Sequence, residues 1–222
     1  METFNIPKYI KNDKSFPFYY SMLIEAKKLI DFHKVNNILD FGCGNGKFLH
    51  LLNQFKPDLN LTGIEIDEDL LQLCTNEAEE NMLFEKAVDL DVKCSESFDL
   101  IFSQEVVYTI PNLLEHAKTT FSLLRGGGYY IFTMGCHVNN PTWKKRKEAV
   151  LSEESYPAHD YSAEDIASVF FRAGYRIAVK RLPVHYPLKY VPNEKGEFKS
   201  INELLTSTEE HKLLFVMLKP RK

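Results

Sequence analysis

The segment NNILDFGCGNGKFLHLL, residues 36–52, joins an apolar β-type run to three glycines at alternate positions, Gly42, Gly44 and Gly46, and then to a helix-like pattern. Glycine at this density is costly unless the backbone takes unusual dihedrals or a ligand presses against it. The strand–turn–helix therefore predicts a loop that holds something, and its spacing narrows what. The dinucleotide fingerprint G-x-G-x-x-G needs glycine at position 47, where Lys47 stands, and Gly42 with Lys47 does not supply the phosphate loop G-x-x-x-x-G-K-[ST]. What stands instead is Asp40-x-Gly42-x-Gly44-x-Gly46.

Strands and helices alternate around this loop. An amphipathic helix is predicted over 18–33, strands over 37–41, 59–66, 82–88, 98–103 and 129–134, and helices over 46–54, 68–80 and 111–124. Asp67 can cap the second of these, and Pro111 falls in the first turn of the third, where its missing N–H costs little. A capping box, Ser162 to Asp165, opens a further helix that stops near Gly174. The strands YRIAVKRLPV (175–184) and KLLFVMLK (212–219) have no helical crossover of adequate length between them, so they are expected to run antiparallel. The pattern is α/β: a doubly wound, Rossmann-like, seven-stranded and mostly parallel sheet with an antiparallel last strand and helices on both faces. In such sheets a ligand sits beyond the carboxyl ends of the strands, beside strand one, where the glycines lie.

At these residues the chain resembles class I S-adenosylmethionine-dependent methyltransferases, whose first motif is an acidic-x-Gly-x-Gly-x-Gly loop. The resemblance spans roughly residues 36–180 and includes GIEID (63–67), FDLIFSQEVVYTI (98–110) and LLRGGGYYIFT (123–133) in the family's order. It implies S-adenosylmethionine as donor and S-adenosylhomocysteine as product, with Asp40, Gly42, Cys43, Gly44 and Gly46 in the binding loop. It further implies Glu65 and Ile66 at the ribose, Asp89 and Leu90 near the adenine with Asp91 as the rival, and Gln104 after strand four. Tyr20, with Tyr19 beside it, is expected to close over the donor from the N-terminal helix. Elementary chemistry agrees: a carboxylate accepts from both ribose hydroxyls, and Glu65 stands 19 residues past Gly46, close to the roughly 20 residues expected of a ribose-binding acid. The helix after the glycines offers N–H groups to the methionyl carboxylate.

The acceptor is less determined. Methyl transfer from a sulfonium is an in-line displacement, so catalysis can come largely from positioning, and a base is needed only if the acceptor must lose a proton. The [DNS]-P-P-[YF] motif of amine and amide methylators is absent; SQEV stands there. Cys136 falls near the nucleophile of RNA cytosine-C5 methyltransferases, but their strand-four Pro-Cys is missing, and Gln104-Glu105 matches the aminopropyl transferases poorly. The catalytic candidates are His137 as general base, Tyr108 and Glu105. The run WKKRKE, 143–148, reads either as a solvated helix face or as the receiver of an anionic acceptor.

With 222 residues, 44% of them hydrophobic, one domain is expected: a helical cap over 1–35, a donor-binding core over 36–180, and lid segments over 135–160 and 186–211. The lids favour an enclosed pocket and thus a small-molecule acceptor, methylated at O or N. The alternatives are an RNA or protein methyltransferase, or a non-catalytic donor-binding subunit. A net charge of −4 sets nucleic acid aside as a partner. Scattered Cys43, Cys74, Cys94 and Cys136, no ligand-spaced histidines and no long apolar run imply no metal, no membrane span and a cytoplasmic chain.

Overall fold

A computed structural model describes residues 6–86, 95–154, 156–192 and 198–221. Strands β1 (Asn37–Phe41), β2 (Asn60–Glu65), β3 (Met82–Lys86), β4 (Phe98–Gln104), β5 (Leu124–Met134), β6 (Arg176–Arg181) and β7 (Leu213–Leu218) form one sheet in the order β3-β2-β1-β4-β5-β7-β6. All neighbours pair in parallel except across β7, which runs antiparallel to both β5 and β6. The predicted antiparallel last strand is therefore correct.

Alternate residues of the central strands feed two cores. Ile38 belongs to the core with Met22, Phe48 and Leu49, on the side of α2 (Phe16–Leu29) and α3 (Lys47–Phe55). Leu39 belongs to the opposite core with Ile101, Tyr130 and Phe132, which α5 (Leu113–Leu123) and α7 (Ala163–Arg172) cover. The remaining helices are α1 (Lys8–Lys11), α4 (Glu68–Asn76), α6 (Trp143–Ala149) and α8 (Ile201–Leu205). Among the described residues no helix is long and apolar enough to cross a membrane.

Local signals hold where the chemistry is local. The Asp67 side chain accepts from Leu70 N at 3.0 Å and opens α4, and Ser162 and Asp165 form the reciprocal capping box of α7. Boundaries shift elsewhere. The helix expected over 18–33 starts earlier, with Pro17 in its first turn, and stops at Leu29 because Ile30 is extended (φ −127°). The helix expected over 68–80 stops at Asn76. Pro111 precedes α5 rather than entering it, because the Asn112 side chain accepts from Glu115 N and takes the cap. The glycines of RGGG lie within β5, where Gly127 N donates to Lys219 O.

Candidate donor and acceptor site

All three loop glycines have positive φ: 74°, 54° and 72° at Gly42, Gly44 and Gly46. At Gly42 a Cβ would lie 2.5 Å from Val106 Cγ2, so the loop after β4 leans directly on the loop after β1. At Gly44 a Cβ would meet nothing within 4 Å; that glycine faces open space and admits a close backbone approach.

Glu65, at the end of β2, is buried and folds onto this loop. Its Oε2 accepts from Gly44 N at 2.8 Å, and its Oε1 accepts from Ile66 N at 2.8 Å and Asp67 N at 3.2 Å. Asp40, at the end of β1, is 3% exposed and makes no side-chain hydrogen bond among the described residues. Burial, and then the charge of Glu65, push its carboxyl up to about 8.

The N-terminal elements close over this side. The Asp13 carboxylate accepts from Asn45 Nδ2 at 2.9 Å and lies 3.5 Å from Lys47 Nζ, which clasps the turn before α2 to the glycine loop. Tyr19 packs on Phe48 with ring centroids 5.5 Å apart, and burial, Asp13 and Asp40 raise its hydroxyl well above the ordinary range. Tyr20 faces another way, with Phe16 at 5.7 Å and Tyr186 at 6.3 Å. Of the two tyrosines, Tyr19 is the one beside Asp40.

The expected acceptor side lies at the carboxyl ends of β4 and β5. Gln104 and Thr133 are cross-strand partners, and Gln104 Oε1 and Thr133 Oγ1 are both buried without a hydrogen bond. Glu105 follows with φ +56°, a strained conformation for a non-glycine residue. Its Oε1 accepts from Lys212 Nζ at 2.6 Å and from Gly135 N at 2.7 Å. Burial opposes its charge, but Lys212 and the Gly135 amide outweigh that and hold the carboxyl below its ordinary value. Lys212 Nζ also lies 4.1 Å from the centre of the Phe18 ring.

His137 is 3% exposed, and its Nε2 lies 2.7 Å from His211 O. A carbonyl only accepts, so Nε2 carries a proton, and Nδ1 is buried with no hydrogen-bond partner among the described residues. Tyr108 is buried against Trp143 at 5.5 Å, and its carbonyl accepts from His159 N at 2.9 Å. Burial and Glu105 raise the Cys136 thiol well above its ordinary value, while Lys212 and Arg146 act in the opposite sense. In WKKRKE, Trp143 Nε1 donates to Asp160 Oδ1 at 2.8 Å and Lys147 Nζ lies 2.5 Å from Asp160 Oδ2.

The segments after β5 and β6 are tethered to their neighbours. His185 N donates to Ser21 Oγ at 2.8 Å, and the Glu25 carboxylate of α2 binds Lys180 at 2.7 Å and His185 Nε2 at 2.8 Å. Asn140 Nδ2 donates to Gly135 O at 2.8 Å, and Thr142 Oγ1 meets Ser207 Oγ at 2.9 Å. Beside them lies a cavity of about 540 Å³ lined by Tyr186, Leu188, Tyr190, Leu204, Leu205 and Glu209, among others.

Asp89, Leu90 and the rival Asp91 lie outside the described residues. Of the other expected residues, Asp40, Cys43, Gly44 and Glu65 lie at the carboxyl ends of β1 and β2, and Gln104, Glu105 and His137 at or just after those of β4 and β5. Sequence reasoning missed Asp13 and Lys212. Asp13 sits in an NDKS run with turn character, and Lys212 heads an apolar strand, a position that ordinarily reads as solvated.

The sequence profile of a methyltransferase domain matches residues 32–203. Among curated relatives, the trans-aconitate 2-methyltransferase of Rhodopseudomonas palustris is 25% identical over 119 residues, covering 52% of this chain and 45% of its own. The chain spans about half the length of the curated relatives it matches. Among solved structures, a chain of Haloferax volcanii in complex with the Trm112 methyltransferase activator superposes with a TM-score of 0.76 at 15% identity, covering 96% and 94% of the two chains. An S-adenosylmethionine-dependent methyltransferase of Mesorhizobium loti superposes at 0.65 with 16% identity, covering 95% and 99%.

Proposed function

The chain belongs to the methyltransferase-domain family, and from that premise we propose that it is an S-adenosylmethionine-dependent enzyme that methylates an oxygen or nitrogen of an anionic small molecule. The observation that supports the small-molecule reading is the tethering of His185 and Tyr186 to α2, and of Ser207 to Asn140 and Thr142, beside a cavity of about 540 Å³. The anionic reading is supported by Arg146, whose charge acts on Cys136 after β5. The likeness to an enzyme named for trans-aconitate points the same way.

In this reading, Glu65 accepts from the donor's ribose hydroxyls while keeping Gly44 in place, and Gly44 admits the donor past its missing side chain. Gly42, Cys43 and Gly46 shape the loop, Ile66 flanks the ribose, and Tyr19 closes the N-terminal side. Asp40 faces the donor's positive charge. The donor, when bound, supplies a methyl group on a cationic sulfur. Gln104 and Thr133 offer their unused oxygens to a donor or acceptor N–H or O–H, and His137 Nδ1 takes a proton where the acceptor must lose one. Glu105, committed to Lys212 and Gly135 N, acts as a positioning residue, and Tyr108 packs on Trp143 beside it.

Asp40 makes the reading sensitive to pH in a definite direction. Its carboxyl, raised to about 8 in the protein without ligand, is largely protonated at neutral pH. A cation beside it favours the charged form, so donor binding expels a proton and tightens as pH rises toward 8, by up to tenfold per pH unit. Calorimetry in buffers of different ionisation enthalpy should show proton release near one at pH 6.5, and Asp40→Asn should abolish both the release and the pH slope. A flat affinity in the wild type between pH 6 and 8 would remove Asp40 from the donor site.

The acceptor reading is tested with donor carrying a tritiated methyl group and a cell extract divided by ultrafiltration. Label is expected in the low-mass fraction and, after ester hydrolysis or anion exchange, on acidic compounds. Label confined to protein or RNA would overturn it.

A further inference from the structure

A second concavity, of about 370 Å³, lies away from the glycine loop and is lined by Gly127, Tyr129, Arg176, Leu218, Pro220 and Arg221. It holds two cations and no carboxylate, on a chain of formal net charge −4. Three of its residues form one row: Tyr129 of β5 pairs with Leu218 of β7, and Leu218 with Arg176 of β6. Laterally paired residues share a face, so Tyr129 and Arg176 flank Leu218 on strands roughly 9–10 Å apart. Arg221 enters from the rim. Past the end of β7, Lys219 N donates to Gly128 O at 2.9 Å and Gly127 N donates to Lys219 O at 2.8 Å, which keeps the next residues against β5. Gly127, at φ +89°, leaves the space that Arg221 occupies: a Cβ there would stand 2.8 Å from Arg221 Nε and 3.3 Å from its Cγ. The neighbouring cations are engaged, Arg125 with Asp99 at 2.9 Å and Lys219 with Leu124 O at 2.7 Å and Glu96 at 3.2 Å. Arg176 and Arg221 are exposed, and among the described residues their side chains make no hydrogen bond or ion pair.

We infer that this concavity binds a small organic phosphate of the nucleoside monophosphate type. The guanidinium groups of Arg176 and Arg221 take the phosphate, and Tyr129, Leu218 and Pro220 take a flat, largely apolar body. A planar guanidinium gives a phosphate two parallel hydrogen bonds, and neither arginine has to leave a partner to do so. A concavity lined by one sign of charge gathers ions of the other. An aromatic ring beside it receives a base by stacking, and the volume is that of a small-molecule site. This is not the donor site. β5 runs parallel to β4, and β4 to β1, so the glycine loop after β1 lies at the Met134 end of β5, whereas Gly127 and Tyr129 stand in its first half. Occupancy here is therefore independent of both the donor and the acceptor.

The test is calorimetric titration of the full chain at low salt with uridine monophosphate, uridine and inorganic phosphate, each with and without saturating S-adenosylhomocysteine. Uridine monophosphate should bind about tenfold or more tightly than phosphate, and uridine weakest of the three. S-adenosylhomocysteine should leave that order and the affinities unchanged. Arg176→Gln and Arg221→Gln should each weaken uridine monophosphate by about tenfold or more, and the double variant should bind none. Arg176→Lys, which keeps the charge and loses the fork, should fall between wild type and Arg176→Gln. Both residues are exposed, so the variants should unfold at the wild-type temperature and respond to S-adenosylhomocysteine as the wild type does. No binding of uridine monophosphate, or undiminished binding in the double variant, would overturn the site. Phosphate binding as tightly as uridine monophosphate would overturn the organic ligand. Displacement of uridine monophosphate by S-adenosylhomocysteine would assign it to the donor site and overturn a second one.

Discussion

Glu65→Ala abolishes the stabilisation that S-adenosylmethionine confers. A ligand at a hundred times its Kd adds about 2.7 kcal/mol, which for a domain of this size is roughly 5–11 °C in Tm. The alanine variant should show none of it, and it should also unfold at a lower temperature unliganded. Glu65 is the acceptor for three backbone amides, Gly44, Ile66 and Asp67, and leaving a buried amide unpaired costs about 1–3 kcal/mol. Glu65→Gln separates the two losses. Its amide oxygen can serve one side of the turn and recover part of the unliganded stability, but it lacks the charge that favours two hydroxyl donors, so affinity should stay at least tenfold down. A normal ligand shift in the alanine variant would rule out Glu65 as the ribose acid.

Lys212→Met should be the most destabilising single change at the acceptor edge. It leaves the Glu105 carboxylate with the Gly135 amide but no cation, in a site where both side chains are largely buried, 8% and 19% exposed. Breaking such a pair from one side costs about 3–5 kcal/mol, roughly 6–20 °C in Tm. Adding Glu105→Gln to Lys212→Met should recover most of the loss, because the stranded charge is removed with its partner. The pH dependence has a fixed sign. In the wild type the depressed Glu105 pKa contributes stability that is present above its ordinary value and lost as pH falls through the folded one. In Lys212→Met that carboxyl is easier to protonate, so the defect should shrink as the solution becomes acidic. A variant within 1 °C of wild type at neutral pH would show that the pair is not worth its burial.

The parts of this protein that were legible in its sequence are those whose physics is local. The glycine loop is a turn of seven residues whose spacing alone separates it from other ligand loops. Asp67 and Ser162 cap helices three residues away. What escaped depends on distance or on rotation. Lys212 and Glu105 are 107 residues apart, and a lysine heading an apolar strand carries no mark that its ammonium will be buried against a phenyl ring. Asp13 reaches Asn45 across 32 residues. Tyr19 and Tyr20 are adjacent, and the choice between them turns on about 100° of helix rotation, which only the packing of Tyr19 on Phe48 decides. At Asn112 the miss was one of competition: both Pro111 and Asn112 favour a helix start, and the side chain that can accept from Glu115 N took the cap.

The place of β7 between β5 and β6 also bears on how the protein is made. The ribosome delivers β5 and β6 well before residues 213–218, yet neither can complete its pairing until β7 slides in between them. Throughout that interval the edge of β5, with Ile131 and Phe132 on its two faces, stands open, and β6, which pairs with β7 alone, has no place in the sheet. A nascent chain in this state displays an unpaired apolar edge, which is what holdase chaperones recognise and what invites association between neighbouring nascent chains on one message. Closure of this end of the sheet thus waits on a strand made after both of the strands it joins.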